Sequence, residues 1–482
     1  MASPAQPRAA QKHPWLVLSV VLTAAFMDLV DGTIVSIVLP HIQSDLEAGF
    51  AAAQWVLAGY SLTFALMLIP GGRLGDVYGR KRIFLIGVAG FTLASIVCGA
   101  ATGPGLLVGG RLLQGFMAAL MVPQVISIIM VMFMPERRAK PFAVYGIVLS
   151  LANVSGPLLG ALLTEYDVFG LQWRAIFLVN VPVGLLAFVG AARYMPESRS
   201  EQALKMDVPG TVLITLASFA LMLPLIQGRE SGWPLWMILL MIATLPLLGL
   251  FALAQRRSAS PLVPPGLFKE RSFVVGLIML LTLFTGLASF FLVINYALQL
   301  GLGWSLLATA LTGIGWPVGI LVTSGLAQRY ATTHGRLLIR TGLLIMTVAV
   351  VALIVLLAAY ATDISYWVIA PPVLVMGLGF GLCVSILTNV ILTGVPADSA
   401  GAGSGVLNAM LQLGTAAGIA IVGVIFVSLA NGQDTTSLYF AASTTLWYNA
   451  AVFLVALLLA MALPPAPRGT EMRESARQVP VP

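Results

Sequence analysis

Two carboxylates, Asp28 and Asp31, stand three residues apart inside the apolar stretch WLVLSVVLTAAFMDLVDGTIVSIVLP that runs from Trp15 to Pro40. Counting ~1.5 Å per helical residue, Asp28 lies roughly 20 Å from Trp15 and roughly 18 Å from Pro40, near the middle of a stretch long enough to cross a bilayer. An ionised aspartate at that depth costs at least ~2.5 kcal/mol, so such residues face a bundle interior or a wet cavity and mark ion or substrate paths. At this spacing the two share a helix face, with Cβ atoms ~5 to 6 Å apart. Like charges that close in a poor dielectric resist joint ionisation, so one of them can exchange a proton at neutral pH. The chemistry on offer is that of a proton carrier, or of an anionic seat for a cation.

A third charge sits at comparable depth, Arg111 in the apolar run 105–133. It lies roughly 9 Å from the face at which that run begins, Asp31 roughly 13 Å from the same face, and Asp28 deeper. A buried cation without a partner is expensive, so depth favours an Asp31–Arg111 pair. The alternative is that Arg111 snorkels to the outer interface.

A membrane must position these charges. The chain has 482 residues, is 59% hydrophobic and only 9% charged, and its mean hydropathy of +0.98 exceeds that of soluble globular proteins. Apolar runs define fourteen candidate spans, at 15–40, 50–70, 83–102, 105–133, 141–164, 174–195, 208–227, 234–254, 272–300, 304–327, 337–360, 365–386, 402–429 and 444–463. Basic residues orient them. Arg73, Arg80, Lys81, Arg82, Arg137, Arg138, Lys140, Arg199, Lys205, Arg256, Arg257, Lys269, Arg271, Arg329 and Arg336 fall in loops after even-numbered spans, whereas loops after odd-numbered spans hold only Arg174 and Arg229. The even loops and both termini are therefore cytoplasmic, and the net charge of +7 reflects topology rather than a nucleic-acid partner.

The basic leader before Trp15 precedes a run longer than a signal-peptide core and without a small-residue cleavage site, so that run is read as a retained first span. Cys98 and Cys383 fall inside spans, which argues against a disulfide framework, and His13, His41 and His334 lie away from span centres. The sequence holds no nucleotide loop, no metal-ligand cluster and no nucleophile beside a base. An enzyme is not expected, nor a metal or other cofactor.

The stretch GGRLGDVYGRKR from Gly71 to Arg82 places glycines at 71, 72, 75 and 79 around the acid Asp76, ringed by Arg73, Arg80, Lys81 and Arg82. Those glycines are expected to let two helix ends meet in a tight turn. The order of residues resembles the loop between helices 2 and 3 of the major facilitator superfamily. MDLVDGTIVSIVLPHIQSDL in the first span is similar to the first-helix signature of its fourteen-helix drug:proton antiporters, with Asp31 on the signature acid. RLLQG from Arg111 to Gly115 is similar to that superfamily's fourth-helix motif. Gly156-Pro157-Leu158-Leu159-Gly160 resembles the antiporter motif of the fifth helix, with Ala161 where a second glycine is usual; Trp173, Arg174, Phe177, Asn180, Pro182 and Gly184 resemble the entry to the sixth. In the second half GLAQRYATTHGR, Gly325 to Arg336, occupies the place of the first loop's twin, with Gln328 and Arg329 near the position of the acid.

The resemblance implies an all-α polytopic major facilitator fold of two six-helix bundles with two extra helices between them. Residues 1–14 are then a cytoplasmic leader, 15–195 the first bundle, 196–271 a linker carrying the extra spans 208–227 and 234–254, 272–463 the second bundle and 464–482 a cytoplasmic tail. It further implies a proton-coupled antiporter of the bacterial cytoplasmic membrane, driven by the proton gradient, exporting amphiphilic cationic or neutral drug-like compounds as a monomer. Asp31 is the first choice for the proton-accepting site, with Asp28 and Arg111 beside it. Gly72, Gly75, Asp76, Gly79, Arg80 and Arg82 would form a gating loop, Asp76 facing the helix that begins near Ala400 and Arg80 helping to close the inward side. Gly146, Gly156, Pro157 and Gly160 would kink the fifth span or let it pack closely. Polar and aromatic residues in otherwise apolar spans, Gln54, Trp55, Tyr60, Gln124, Asn153, Asn295, Tyr296, Gln299, Trp316, Asn389, Asn408 and Gln412, are candidates for a substrate cavity. An exporter dedicated to one metabolite, antibiotic, lipid or siderophore is the nearest alternative; a non-transporting receptor or scaffold is an alternative of another class.

Overall fold

In hydrocarbon each backbone N–H and C=O must find its partner within the protein, and a helix achieves this segment by segment. The computed structural model describes residues 13–134, 137–200, 206–360, 364–393, 395, 400–430 and 435–463, so most of the expected leader and the whole tail lie outside the described residues. Among the described residues fourteen helices are long and apolar enough to cross a membrane. They are α1 (Pro14–Asp45), α2 (Phe50–Tyr78), α3 (Arg80–Gly99), α4 (Pro104–Met132), α5 (Lys140–Glu165), α6 (Gln172–Tyr194), α7 (Val208–Gln227), α8 (Leu235–Arg257), α9 (Arg271–Gly301), α10 (Leu306–Ala331), α11 (Thr333–Tyr360), α12 (Tyr366–Thr393), α13 (Ala402–Leu429) and α14 (Ser437–Leu459).

Several helix ends differ from expectation: α12 runs on to Thr393, α14 begins at Ser437, and two further cases bear on the glycine-rich segment and the first span. α1 continues through Pro40 to Asp45, and α2 continues through Pro70 to Tyr78. Gly71, Gly72 and Gly75 are thus helical rather than part of a turn, and Gly79 alone, at φ +110°, makes the break before α3. Gly71 and Gly75 serve packing instead. A Cβ on the first would meet the Ala119 backbone, and one on the second would strike the Gln124 side chain.

The same pairing recurs in both halves. α1 lies along α5, where a Cβ on Gly156 would collide with Thr33 Oγ1 and one on Gly160 would stand 2.8 Å from Ile34; α9 lies along α13, where Gly414 and Gly418 abut Leu281 and Thr285. Thr63 on α2 donates to Leu112 O on α4 at 2.9 Å, and Thr323 on α10 donates to Leu378 O on α12 at 2.9 Å. Two six-helix bundles with one internal plan result, as parallel repeats require.

The extra pair sits outside this plan. α7 packs on both α2 and α13, Phe219 stacking on Trp55 at 6.3 Å, and α8 leans on α7. Glu230, in the loop between them, accepts from Ala51 N at 2.8 Å at the start of α2. At the basic end of α2, Arg73 donates to Ser260 O at 2.7 Å and to Pro261 O, in the segment that follows α8.

At the outer end, opposite the basic loops, the bundles are joined by hydrogen bonds from Asn295 Nδ2 to Ser36 O (3.0 Å), Gln299 Nε2 to Ile37 O (2.8 Å), Tyr296 OH to Gln43 Oε1 (2.6 Å) and Leu307 N to Glu165 Oε2 (2.7 Å). Gln54 Nε2 adds a bond from α2 to Ile419 O on α13 at 2.5 Å.

Gly146 and Gly156 lie on one helix in opposite surroundings, with nothing within 4 Å of a Cβ at Gly146. Gly146→Ala is expected to raise stability by about 0.5–1 kcal/mol, the helical cost of glycine, and Gly156→Ala to lower it by about 1–3 kcal/mol through overpacking against Thr33. Thermal unfolding of the two purified variants in detergent checks the difference in sign.

Candidate functional site

A cavity of about 310 Å³ lies between the bundles at mid-depth. α1 contributes Asp28, Gly32 and Ser36, α2 Tyr60, α4 Arg111, and α5 Asn153 and Pro157; the facing wall comes from α9 (Phe284, Phe291, Asn295), α10 (Thr309, Trp316) and α13 (Gln412, Thr415). No residue of α7 or α8 is among its lining. One wall is therefore charged and polar. The opposite wall is aromatic, Trp316 lying 5.4 Å from Phe291 and 4.9 Å from Phe380 between ring centres.

Behind the charged wall Asp31 is fully buried and does not line the cavity. Its carboxylate accepts from Arg111 Nη1 at 2.5 Å, Asn180 Nδ2 at 2.7 Å and Gln114 Nε2 at 3.2 Å. Arg111 also donates to Val56 O and Gln114 Oε1, each at 2.9 Å, and its guanidinium lies 4.2 Å above the Tyr60 ring. Ser95 on α3 completes the group by accepting from Gln114 at 2.8 Å. Five helices meet here, and both Asp31 oxygens and the Nε and Nη1 of Arg111 have a hydrogen-bond partner, which a buried ion pair needs to offset its desolvation.

Asp28 is placed differently. One turn earlier on α1, it faces the cavity and accepts a single side-chain hydrogen bond, from Tyr60 OH at 2.5 Å. Its donor is a neutral phenol, and the residue lines the space a ligand would occupy. The chain Asp28, Tyr60, Arg111, Asp31 therefore links an open carboxylate to a locked one through a ring that Arg111 covers.

Of the cavity candidates, Tyr60, Asn153, Asn295, Trp316 and Gln412 line the space. The others do not. Gln54, Tyr296 and Gln299 make the cross-bundle bonds described above, Trp55 packs against α7, and Gln124 binds the Gly71 carbonyl at 2.9 Å between α2 and α4. Asn408 is exposed and turns its amide back to Ser404 O at 2.9 Å, and Asn389 is exposed on α12. An amide in an apolar helix must find a partner, and for Gln54, Gln124, Gln299 and Asn408 a backbone carbonyl provides it. Gln114, Asn180 and Ser95 were not among the candidates, although the first two stand in the quoted RLLQG and sixth-helix stretches and could have been found as amides at the depth of Asp31. The aromatic wall of Phe284 and Phe291 carries no signal that separates it from ordinary core.

In the glycine-rich segment Asp76 pairs with Arg80 at 2.7 Å along the helix direction. Arg80 thus closes on its own bundle, and the residues 396–399 leading to the helix near Ala400 lie outside the described residues. Arg82 is exposed, and its backbone N, with that of Lys81, points at Glu197, at 3.3 and 3.0 Å. Gly146 packs against nothing.

The family model of the Major Facilitator Superfamily matches residues 21–419. The chain is 38% identical over 428 residues to the probable actinorhodin transporter of Streptomyces coelicolor, covering 88% of this chain and 74% of that protein. It is 37% identical over 421 residues to a puromycin resistance protein of Streptomyces alboniger, covering 85% and 81%. Its fold is similar, with a TM-score of 0.65 at 16% identity, to a bacterial homologue of the human lysosomal transporter Spinster in an inward-facing and unoccupied conformation, covering 94% of this chain and 98% of that one.

Removing one partner of a buried pair leaves the other uncompensated, so Arg111→Met is expected to cost about 3–5 kcal/mol of stability. Adding Asp31→Asn in the same chain should recover a large part of that loss, because the two changes are coupled. Thermal unfolding of the single and double variants in detergent measures the coupling.

Proposed function

This chain belongs to the major facilitator superfamily, and we propose that within it the protein is a proton-coupled exporter of amphiphilic, cationic or neutral drug-like compounds. It would act as a monomer in the cytoplasmic membrane of a bacterium, a single chain supplying both walls of the cavity. The observation that carries the reading is one cavity-facing carboxylate, Asp28, opposite an aromatic wall, with a separate ion pair behind it. A cationic amphiphile entering the cavity finds a negative charge on one side and ring faces on the other, which attract cations. The relatives named for antibiotic transport and resistance support the substrate class.

Proton exchange follows from competition for Asp28. Tyr60 can donate to an ionised Asp28 or accept from a protonated one, so this carboxyl has a hydrogen-bonded state in either form. Asp31 is held by three donors including a guanidinium, and it stands behind the cavity wall where no ligand reaches it. We therefore move the first choice of proton carrier from Asp31 to Asp28, and assign Asp31 and Arg111 the role of a fixed dipole that positions Tyr60. A cationic substrate at Asp28 displaces the proton, and a proton displaces the substrate when the cavity meets the acidic side.

The outer hydrogen bonds of Asn295, Gln299, Tyr296 and Gln54 describe a state closed toward the outside. Opening outward requires breaking them as one bundle rocks against the other. Each outside-to-inside pH unit supplies about 1.36 kcal/mol per returning proton.

A dedicated exporter is the second reading, favoured by the resemblance to a probable actinorhodin transporter. Both readings are tested by loading everted membrane vesicles, acid inside, with a panel of unrelated compounds that includes ethidium. The broad exporter accumulates several of them, and accumulation collapses when the pH gradient is dissipated. Accumulation of one compound alone would favour the dedicated cargo, and accumulation indifferent to the gradient would rule out proton coupling.

A further inference from the structure

The two bundles follow one plan, yet their basic ends are neutralised differently. In the first bundle Arg80 has Asp76 as its ion-pair partner, and the start of α3 points its Lys81 and Arg82 amides at Glu197. The twin segment from Gly325 to Arg336 has no acid. α11 begins here with a break at its second residue, His334, whose φ of −130° and ψ of 20° interrupt the helix running on from α10. Arg336 stands in its first turn, and Arg340 follows one turn later on the same face.

Arg271, the first residue of α9, and Arg340 are the charged groups within electrostatic reach of Arg336. α14 packs on both α9 and α11, and Arg340 reaches the Ala460 carbonyl beyond α14 with two long contacts of 3.4 Å. Arg336 Nε is buried with no hydrogen-bond partner. Among the described residues no carboxylate forms an ion pair with any of the three arginines. Two of them also sit at the positive poles of helices, where cations are disfavoured and anions are held. Arg336 and the two guanidinium groups within its electrostatic reach, two of the three at helix starts, thus stand at the cytoplasmic end of the bundle with no carboxylate of the described residues paired to them.

The surroundings are those of an amphiphile. Leu337 and Leu344 on α11 are 59% and 51% exposed, and Leu458 and Met461 beside Ala460 are 54% and 62% exposed. They form an apolar flank running from the arginines toward the membrane centre.

We infer that Arg271, Arg336 and Arg340 form a seat for the phosphodiester headgroup of an anionic phospholipid of the inner leaflet, its acyl chains lying against α11 and α14. Guanidinium forks match phosphate oxygens in pairs, and basic clusters between helices on the cytoplasmic side take anionic headgroups. The seat is separate from the cavity and does not depend on what the cavity carries.

The test uses the full chain purified in detergent, with retained lipid counted by native mass spectrometry during titration with dioleoylphosphatidylglycerol, dioleoylphosphatidylcholine or inorganic phosphate. Phosphatidylglycerol is expected to bind the native protein and raise its Tm, while phosphatidylcholine and phosphate do neither. Each arginine near the surface is worth about fivefold in affinity, so Arg336→Gln should weaken phosphatidylglycerol about fivefold and Arg336→Gln with Arg340→Gln about 25-fold. Arg336→Lys, which keeps the charge, should stay within a few-fold of native, as should Arg329→Gln outside the cluster. If Arg336→Gln and the double variant bind phosphatidylglycerol as the native chain does, the seat is elsewhere. Equal protection by inorganic phosphate would replace the lipid with a free anion and overturn the assignment.

Discussion

The ion pair of Asp31 and Arg111 is the constraint around which the first bundle is built. No water is at hand in the bilayer core, so both charges must be satisfied by the protein, and no single helix carries enough polar atoms. The result is a junction in which α1 supplies the acid, α4 the arginine and Gln114, α6 Asn180, and α3 Ser95. Moving any of these helices by an ångström strands a charge. The junction thereby ties these helices rigidly to one another.

That rigidity gives Asp28 its meaning. With Arg111 committed to Asp31 and to Val56, and covering the Tyr60 ring, the phenol is fixed with its hydroxyl on Asp28. Asp28 is left as the charge that the bundle does not satisfy internally, at the surface where the second bundle and a ligand meet it. The facing wall offers rings and amides in place of a counter-charge. The extra helices stay outside this exchange. They brace α2 at both ends, through Glu230 and through the carbonyls that hold Arg73, and α7 bridges α2 to α13.

Much of this was legible in the residues. Apolar runs marked all fourteen helices because bilayer thickness imposes their length, and counting residues from the span ends brought Asp31 and Arg111 to a common depth. Helix ends were less legible. Pro40 and Pro70 read as terminators, but in a bundle a proline's missing N–H can be accommodated by neighbouring helices, so both helices run on. Glycine carries the same ambiguity, since Gly79 is a turn whereas Gly71 and Gly75 are close approaches, and spacing alone does not separate them. Amides were the hardest. Asn153 and Asn295 line the cavity whereas Gln54, Gln124 and Gln299 do not, although Asn295, like these three, donates to a carbonyl of a neighbouring helix; the difference is set by helix rotation within a few tens of degrees. The ranking of the two acids depended on the same unknown, because a spacing of three leaves open which one turns to the cavity.

The central claim is that Asp28 exchanges the proton while Asp31 stays paired with Arg111. The most direct measurement is proton release in weakly buffered solution when ethidium is added to purified protein, comparing the native chain with Asp28→Asn. The account predicts close to one proton per bound ethidium from the native protein and none from Asp28→Asn, with the Asp31–Arg111 junction intact in both. Native-like proton release from Asp28→Asn would contradict it and return the carrier role to Asp31.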